Sequence, residues 1–229
     1  RNMYKGFNIT IGLPVYNNYS GLRKCIISAE KGEVVPDYYL IFDNGGIYNN
    51  ILFKDEMEVS KIILHRPGYN QGVAKAWNFI IKNSNDIRII CNDDIEFHRD
   101  TIKVFVDNFD GNKITFPDEK RDNLFSCFSI PTKLFNIIGE FDESISPNYA
   151  YYEDNDYYRR TILYGQEFGF QSIPTGYEHI GSTTLKNYSP GELSLHHKKF
   201  ELAKANYIKK WGGLPNEEKF TMEYNGEKQ

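Results

Sequence analysis

The chain has 229 residues, 40% of them hydrophobic and 25% charged, with a net charge of −4. This is the composition of a soluble globular protein, long enough for one large domain or two small ones. It gives nucleic-acid binding no electrostatic support, and no apolar run reaches the ~20 residues of a membrane span.

Residues 1–7 read as a tail, and the opening with Arg1 and no signal-peptide pattern reads as an excised soluble domain or a cloning scar. Residues 8–15 alternate apolar and small side chains as a first strand, stopped by Pro14. Tyr16, Asn17 and Asn18 form a loop, Ser20 is the expected N-cap, and residues 21–31 place Leu22, Ile26 and Ala29 on one helical face. A second strand over residues 38–42 runs into Asp43-Asn44-Gly45-Gly46, which reads either as a turn or as the ligand edge of an α/β sheet. Residues 60–65 are a third strand. The segment 70–82 is a helix with an apolar stripe of Val73, Trp77, Ile80 and Ile81, and its N-terminus is expected to offer N–H groups and a positive dipole end to a diphosphate. Asn78 lies inside the stripe and needs a partner if buried.

Ile87 to Cys91 is a short β-branched run that suits a strand buried on both faces. It ends in Asn92, Asp93 and Asp94. Two carboxylates at the mouth of a buried strand repel each other and are costly to desolvate unless a cation or hydrogen bonds offset them. Oxygen ligands of this kind suit Mg²⁺ or Mn²⁺; an Asx-rich turn is the plain alternative. Three strands thus send polar loops to one edge of a mostly parallel sheet, and that convergence points to ligand binding.

Beyond residue 100, Asp100 is placed to cap a helix through Phe109, and strands are expected over 113–117 and 124–131, then a helix through Ile138 that Gly139 ends. Glu153-Asp154-Asn155-Asp156 opens a helix to Tyr164. Acids at a helix start stabilise its dipole, but three in four residues exceed what capping needs, and one beside a sugar hydroxyl serves as general base. Residues 171–174 are a late strand and 178–184 a polar loop holding His179. That histidine is structural or, with a carboxylate, a normal Mn²⁺ ligand. Ser189-Pro190 starts the last helix, which ends at residues 210–213, and residues 214–229 are expected to fray. Three scattered cysteines, Cys25, Cys91 and Cys127, make neither a disulfide framework nor a zinc site and suit a reducing, cytoplasmic setting. The 17 tyrosines suit polar ligands with flat apolar faces, or simply a tyrosine-rich core.

Taken in order, Leu13-Pro-Val-Tyr-Asn17, Phe42-Asp-Asn44, Asn70-Gln-Gly72 with Asn78, Asn92-Asp93-Asp94, residues 138–143, Tyr152-Glu-Asp-Asn-Asp156, His179-Ile-Gly-Ser182 and Lys210-Trp-Gly212 resemble the family 2 glycosyltransferases of GT-A fold. The resemblance implies an α/β fold: one GT-A-type domain over residues 1–229, with a mixed central sheet flanked by helices. Residues 8–100 would be a parallel, Rossmann-like half for a nucleotide sugar, and 101–213 an acceptor half. It implies a metal-dependent, inverting transfer from a nucleotide-sugar donor (a UDP-sugar first, with dTDP and GDP as alternatives) to a glycan acceptor. With no membrane segment, an oligosaccharide or protein-linked glycan fits at least as well as a lipid-linked acceptor, which can still be reached from the membrane surface. By the same resemblance Asp94 and His179 hold Mn²⁺ or Mg²⁺, and Asp154 is the catalytic base with Glu153 beside it. Tyr152 and Asp156 meet the acceptor. The donor contacts are Pro14, Tyr16, Asn17, Asp43, Asn44, Asn70, Gly72, Asn78, Asn92 and Asp93. Asn92 stands where the pattern carries a carboxylate, which weakens metal binding there. Two rivals share parts of this pattern. A non-catalytic carbohydrate- or nucleotide-binding domain would lack the need for Asp94, Asp154 and His179, and a sugar nucleotidyltransferase would carry a glycine-rich basic loop where this chain has Tyr16 to Tyr19. A Rossmann dehydrogenase is excluded, since no GxGxxG follows the first strand.

Overall fold

The computed structural model describes residues 3–47, 61–84, 86–117, 125–165, 167–179 and 188–227. Four strands, Ile9–Val15 (β1), Tyr38–Asp43 (β2), Lys61–His65 (β3) and Ile87–Cys91 (β4), lie parallel in the order β3-β2-β1-β4. Successive side chains of a strand point to opposite faces, so a strand covered on both sides is apolar throughout. All five residues of β4 are buried: Ile89 and Cys91 enter one core cluster and Ile90 the other. Tyr39 and Ile41 against Leu40 and Phe42 divide in the same way.

The sheet continues from β4 through Cys127–Ser129 and Lys113–Pro117 to Gly169–Ile173, so that with Ile95–Phe97 as β5 these are β7, β6 and β8. Strand β7 is antiparallel to both neighbours, while β8 is parallel to β6, which makes the seven-stranded sheet mixed. Helices Tyr19–Glu30 (α1) and Thr101–Asp107 (α3) pack in one cluster, with Leu22, Ile26, Ile102 and Phe105 turned inward. Val73–Asn83 (α2), Thr132–Ile138 (α4) and Glu153–Tyr164 (α5) pack in the other, where Trp77, Ile80, Leu134, Phe135 and Tyr157 meet. Pro190–Trp211 (α6) opens on the expected Ser189, a full capping box with Glu192, and closes on left-handed Gly212.

Several local expectations change. The cap of α1 is Asn18 rather than Ser20: its Oδ1 accepts the Gly21 N–H at 3.1 Å, and Ser20 lies inside the helix. Asp100 stands at the start of α3 but makes no capping bond, its carboxylate accepting from Thr175 Oγ1 instead. His179 is not in a loop. It ends a short strand, Tyr177–His179 (β9), that pairs antiparallel with β5 and sets His179 opposite Ile95. Three-residue strands are too short to show a period, so neither was legible. The remainder of the 178–184 loop and Leu124 lie outside the described residues. The expected fraying does not begin at residue 214, because the chain is tied back as far as Phe220: Phe220 and Lys219 N–H groups bond the Trp211 carbonyl, Arg159 donates to the Phe220 carbonyl, and Tyr207 donates to Glu218. No helix among the described residues is long and apolar enough to cross a membrane.

Candidate active site at the carboxyl edge of the sheet

In an open parallel sheet, ligands bind outside the carboxyl ends of the strands, where the strand order reverses. Here that point lies between β1 and β4, and a cavity of about 740 Å³ opens there. Pro14 and Tyr16 reach it from β1, Asn44 from β2, Asn70 and Gly72 from the entry to α2, and Asn92, Asp93 and Asp94 from β4. The rest of the wall includes the segment 149–155, with Tyr188, His196 and Phe200.

The acidic turn after β4 is held from α1. Asn18, 1% exposed, donates through Nδ2 to the Asp93 carbonyl at 3.3 Å and to its carboxylate at 3.2 Å while its Oδ1 caps the helix. Gly21 makes room for this approach, because a Cβ there would sit 2.4 Å from the Asp93 carbonyl oxygen. Burial pushes the Asp93 carboxyl up to about 7 against the Asn18 hydrogen bond, and the charge of Asp94 adds to the rise. Asp94 is 7% exposed, and its Oδ1 lies 3.2 Å from Nε2 of His179. Pairing of β5 with β9 brings these two together across 85 residues of chain. Two ligands at right angles on a small divalent ion at ~2.1 Å stand about 3 Å apart, so this carboxylate–imidazole pair has the chemistry and the spacing for Mn²⁺ or Mg²⁺. Among the described residues no third His, Cys, Asp or Glu joins them to complete a protein cage. A hard ion that keeps positions for phosphate oxygens does not require one.

Four of the expected ligand contacts lie off the cavity wall: Asn17, Asp43, Asn78 and Asp156. The Asp43 carboxylate is fully buried and accepts from Tyr19 Oη, Gly46 N and Arg66 Nε. Asn78 is a clamp: it donates to the Phe141 carbonyl at 2.9 Å and to Glu143 at 3.1 Å, and accepts the Phe141 N–H at 2.8 Å. Asp156 is fully buried and accepts from Arg160, Lys210 and Trp211 Nε1, so it ties down its helix rather than meeting an acceptor. The entry to α2 is likewise committed. Val73 N–H bonds the Tyr149 carbonyl at 2.7 Å, Gln71 N–H bonds Asn44 Oδ1 and Gly72 N–H bonds Asn70 Oδ1, which leaves these groups unavailable to a diphosphate. Gly72 has φ of 84°, and a Cβ there would meet the Tyr149 backbone at 2.6 Å, so only glycine joins the two halves at this point.

Asp154 and Glu153 do line the cavity, as does Tyr152. Asp154 is half-buried, its carboxylate accepting the Asn155 N–H at 2.8 Å, and burial pushes it above its ordinary range. Glu153 is 3% exposed, and its Oε2 is buried without a hydrogen-bond partner among the described residues. Burial first, then the Asp154 charge, pushes Glu153 up to about 8, so it is mostly neutral at pH 7. The start of α5 is anchored below by Lys210, 2% exposed, which reaches Asp142 and Asp156 at 2.8 Å and Glu223 at 3.1 Å. Burial would lower the Lys210 ammonium, but Asp156 and Asp142 outweigh it and hold it above its ordinary value.

Sequence reasoning missed Asn18, Tyr149, Tyr151, Tyr188, His196 and Phe200. Asn18 carried a signal, an Asx residue ahead of a helix at the ligand edge. The aromatic residues carried none, since they come from 149–151 and from α6 and its approach and meet only in three dimensions.

No protein-family model matches the sequence, and no curated protein sequence matches it. Solved structures do share the fold. The mannosyltransferase PcManGT from Pyrobaculum calidifontis, in complex with GDP-Man and Mn²⁺, is 10% identical over 87% of this chain and 73% of its own, with a TM-score of 0.56. S. aureus TarS 1-349 in complex with UDP is 13% identical over 74% of this chain and 59% of its own, with a TM-score of 0.55. GalNAc-T7 with UDP, GalNAc and Mn²⁺ is 10% identical over 89% of this chain and 51% of its own, also at 0.55. The chain spans between half and three quarters of the length of these three proteins. At such identities the likeness establishes a GT-A-like fold.

Proposed function

We propose that this chain is a metal-dependent, inverting glycosyltransferase of family 2 type that moves a sugar from a nucleotide-sugar donor, a UDP-sugar first among them, to a hydroxyl of a glycan acceptor. The observation that carries the reading is the convergence of the Asp94–His179 pair and Asp154 on the wall of one cavity. Residues 8–100 would form the donor half and 101–213 the acceptor half. The GT-A-like fold, and the nucleotide and Mn²⁺ complexes of proteins that share it, support the same reading.

Asp94 and His179 would hold Mn²⁺ or Mg²⁺, which would supply charge to offset the negative charge growing on the departing diphosphate. Pro14, Tyr16, Asn44, Asn70, Gly72, Asn92 and Asp93 lie where they can meet the donor. Asp154 takes the proton of the acceptor hydroxyl as that oxygen bonds to the anomeric carbon and the bond from carbon to the diphosphate oxygen breaks. Glu153, held neutral, is a poor nucleophile, which favours a single displacement and inversion. A cytoplasmic setting fits the three buried free thiols.

Calorimetry with UDP, dTDP and GDP, each with Mn²⁺ and again with EDTA, tests the donor half. The expected outcome is binding of one nucleotide that EDTA abolishes. Folded protein that binds none of the three would overturn the transfer reading in favour of a non-catalytic domain.

A further inference from the structure

Beside Asp154 the cavity is closed by rings: Tyr149, Tyr151, Tyr152, Tyr188, His196 and Phe200 all line it. Tyr151 meets His196 edge-on at 5.3 Å and Phe200 at 5.1 Å between ring centres, and Tyr152 meets Phe200 at 5.7 Å. Tyr149 Oη lies 3.2 Å from His196 Nδ1 and 3.5 Å from Tyr188 Oη.

Two features set this cluster apart from ordinary core packing. Tyr151 and Tyr152 are consecutive left-handed residues, with φ of 95° and 68°, directly before the catalytic helix. Bulky side chains avoid this region, and such residues persist only where their surroundings hold them in place. The backbone is therefore strained where it delivers two rings to the cavity. The second feature is the placement of polar groups. Flat apolar faces are combined with the Tyr149 and Tyr188 hydroxyls and the His196 imidazole. Burial, then His197, lowers the His196 pKa and keeps the ring neutral; burial pushes the Tyr151 phenol up to about 12, so it keeps its proton.

A surface of this kind fits a ligand with one apolar face and a rim of hydroxyls, which is the description of a pyranose ring. An acyclic polyol or a serine side chain offers the hydroxyl without the face. We infer that this aromatic enclosure is the acceptor subsite and that the acceptor presents a pyranose ring stacked against Tyr151 and Phe200, with one of its hydroxyls directed to Asp154. Its role as acceptor rests on the transfer reading above; the ring site itself stands on the geometry.

The test is saturation-transfer NMR on the full chain with the methyl β-pyranosides of glucose, galactose, mannose and N-acetylglucosamine, against ribitol and a serine-containing tripeptide. At least one pyranoside should show transfer to its ring protons while ribitol and the tripeptide show little. Tyr151→Gly and Phe200→Leu should each reduce that signal at least fivefold and leave Mn²⁺-dependent nucleotide affinity unchanged. Glycine adopts a positive φ without penalty, so Tyr151→Gly removes the ring without adding backbone strain, and a thermal melt verifies folding. Variants that bind pyranosides as well as the parent, a parent that prefers ribitol or the tripeptide, or nucleotide binding with no pyranoside binding would each overturn the inference. Pyranoside binding in a protein that binds no nucleotide would uphold the ring site and overturn the transfer reading instead.

Discussion

The two walls of the cavity reach a fixed geometry by opposite means. On the strand side, polar groups are set by the ends of β1, β2 and β4 and then restrained by one another: Asn18 holds Asp93, and Asn44 holds Gln71 and Gly72. On the helix side, the groups follow two consecutive strained tyrosines and are anchored by the buried Lys210–Asp156–Asp142 network. A parallel sheet needs no local strain to aim its strand ends at a ligand. The start of α5 reaches the same cavity through two strained residues, and its anchors come from distant parts of the chain.

If the walls divide the work, they should fail separately. The largest effect is expected at Asp154→Ala, which should lower transfer by roughly 10²–10⁴-fold, the usual contribution of a general base, with Mn²⁺-dependent nucleotide affinity unchanged. Asp94→Ala should do the reverse to binding, weakening Mn²⁺-dependent nucleotide affinity by at least about tenfold. Steady-state kinetics and calorimetry on both variants decide it, and equal loss of nucleotide binding in the two would break the comparison.

Next in size is the anchor beneath the helix wall. Lys210→Met leaves the fully buried Asp156 without its ammonium partner, and breaking a buried pair from one side typically costs about 3–5 kcal/mol. Denaturant unfolding should register a loss of that order. Lys75, whose pair with Glu143 is exposed, serves as the control on the other wall, and Lys75→Ala should leave the unfolding midpoint where it was. Equal midpoints for the two variants would mean that the network anchors nothing.

This difference between the walls also explains what the sequence revealed. The parallel half was legible because its strands are buried on both faces, so hydrophobic runs ending in Asp43-Asn44 and Asn92-Asp93-Asp94 mark both strand and edge. Which of those polar residues face the cavity was not legible. Asn78 and Asp156 sit beside plausible ligand positions, but their hydrogen-bond partners, Phe141 and Lys210, lie 63 and 54 positions away. His179 was singled out by composition, yet its approach to Asp94 depends on a ribbon of two three-residue strands. The aromatic enclosure had no periodic signature, and the stabilised segment after Trp211 read as a polar tail because its anchors are single side chains.

The prediction that sharpens the comparison most concerns Glu153, and its effect appears only as the pH is raised. Its folded-state pKa is raised to about 8 from an ordinary 4.5, so the folded chain holds a proton that the unfolded chain releases. A raised carboxyl contributes stability that is fully present below the unfolded value and is lost as pH rises through the folded one. The parent should therefore lose stability between about pH 5 and pH 9 by an amount that Glu153→Gln, a permanent neutral isostere, does not. The melting temperatures of the two should agree near pH 5 and separate as pH rises, with the variant the more stable at pH 9. A difference that stays constant over that range would mean that Glu153 is ionised in the folded protein, and the helix wall would then carry two charges beside the acceptor instead of the single base proposed.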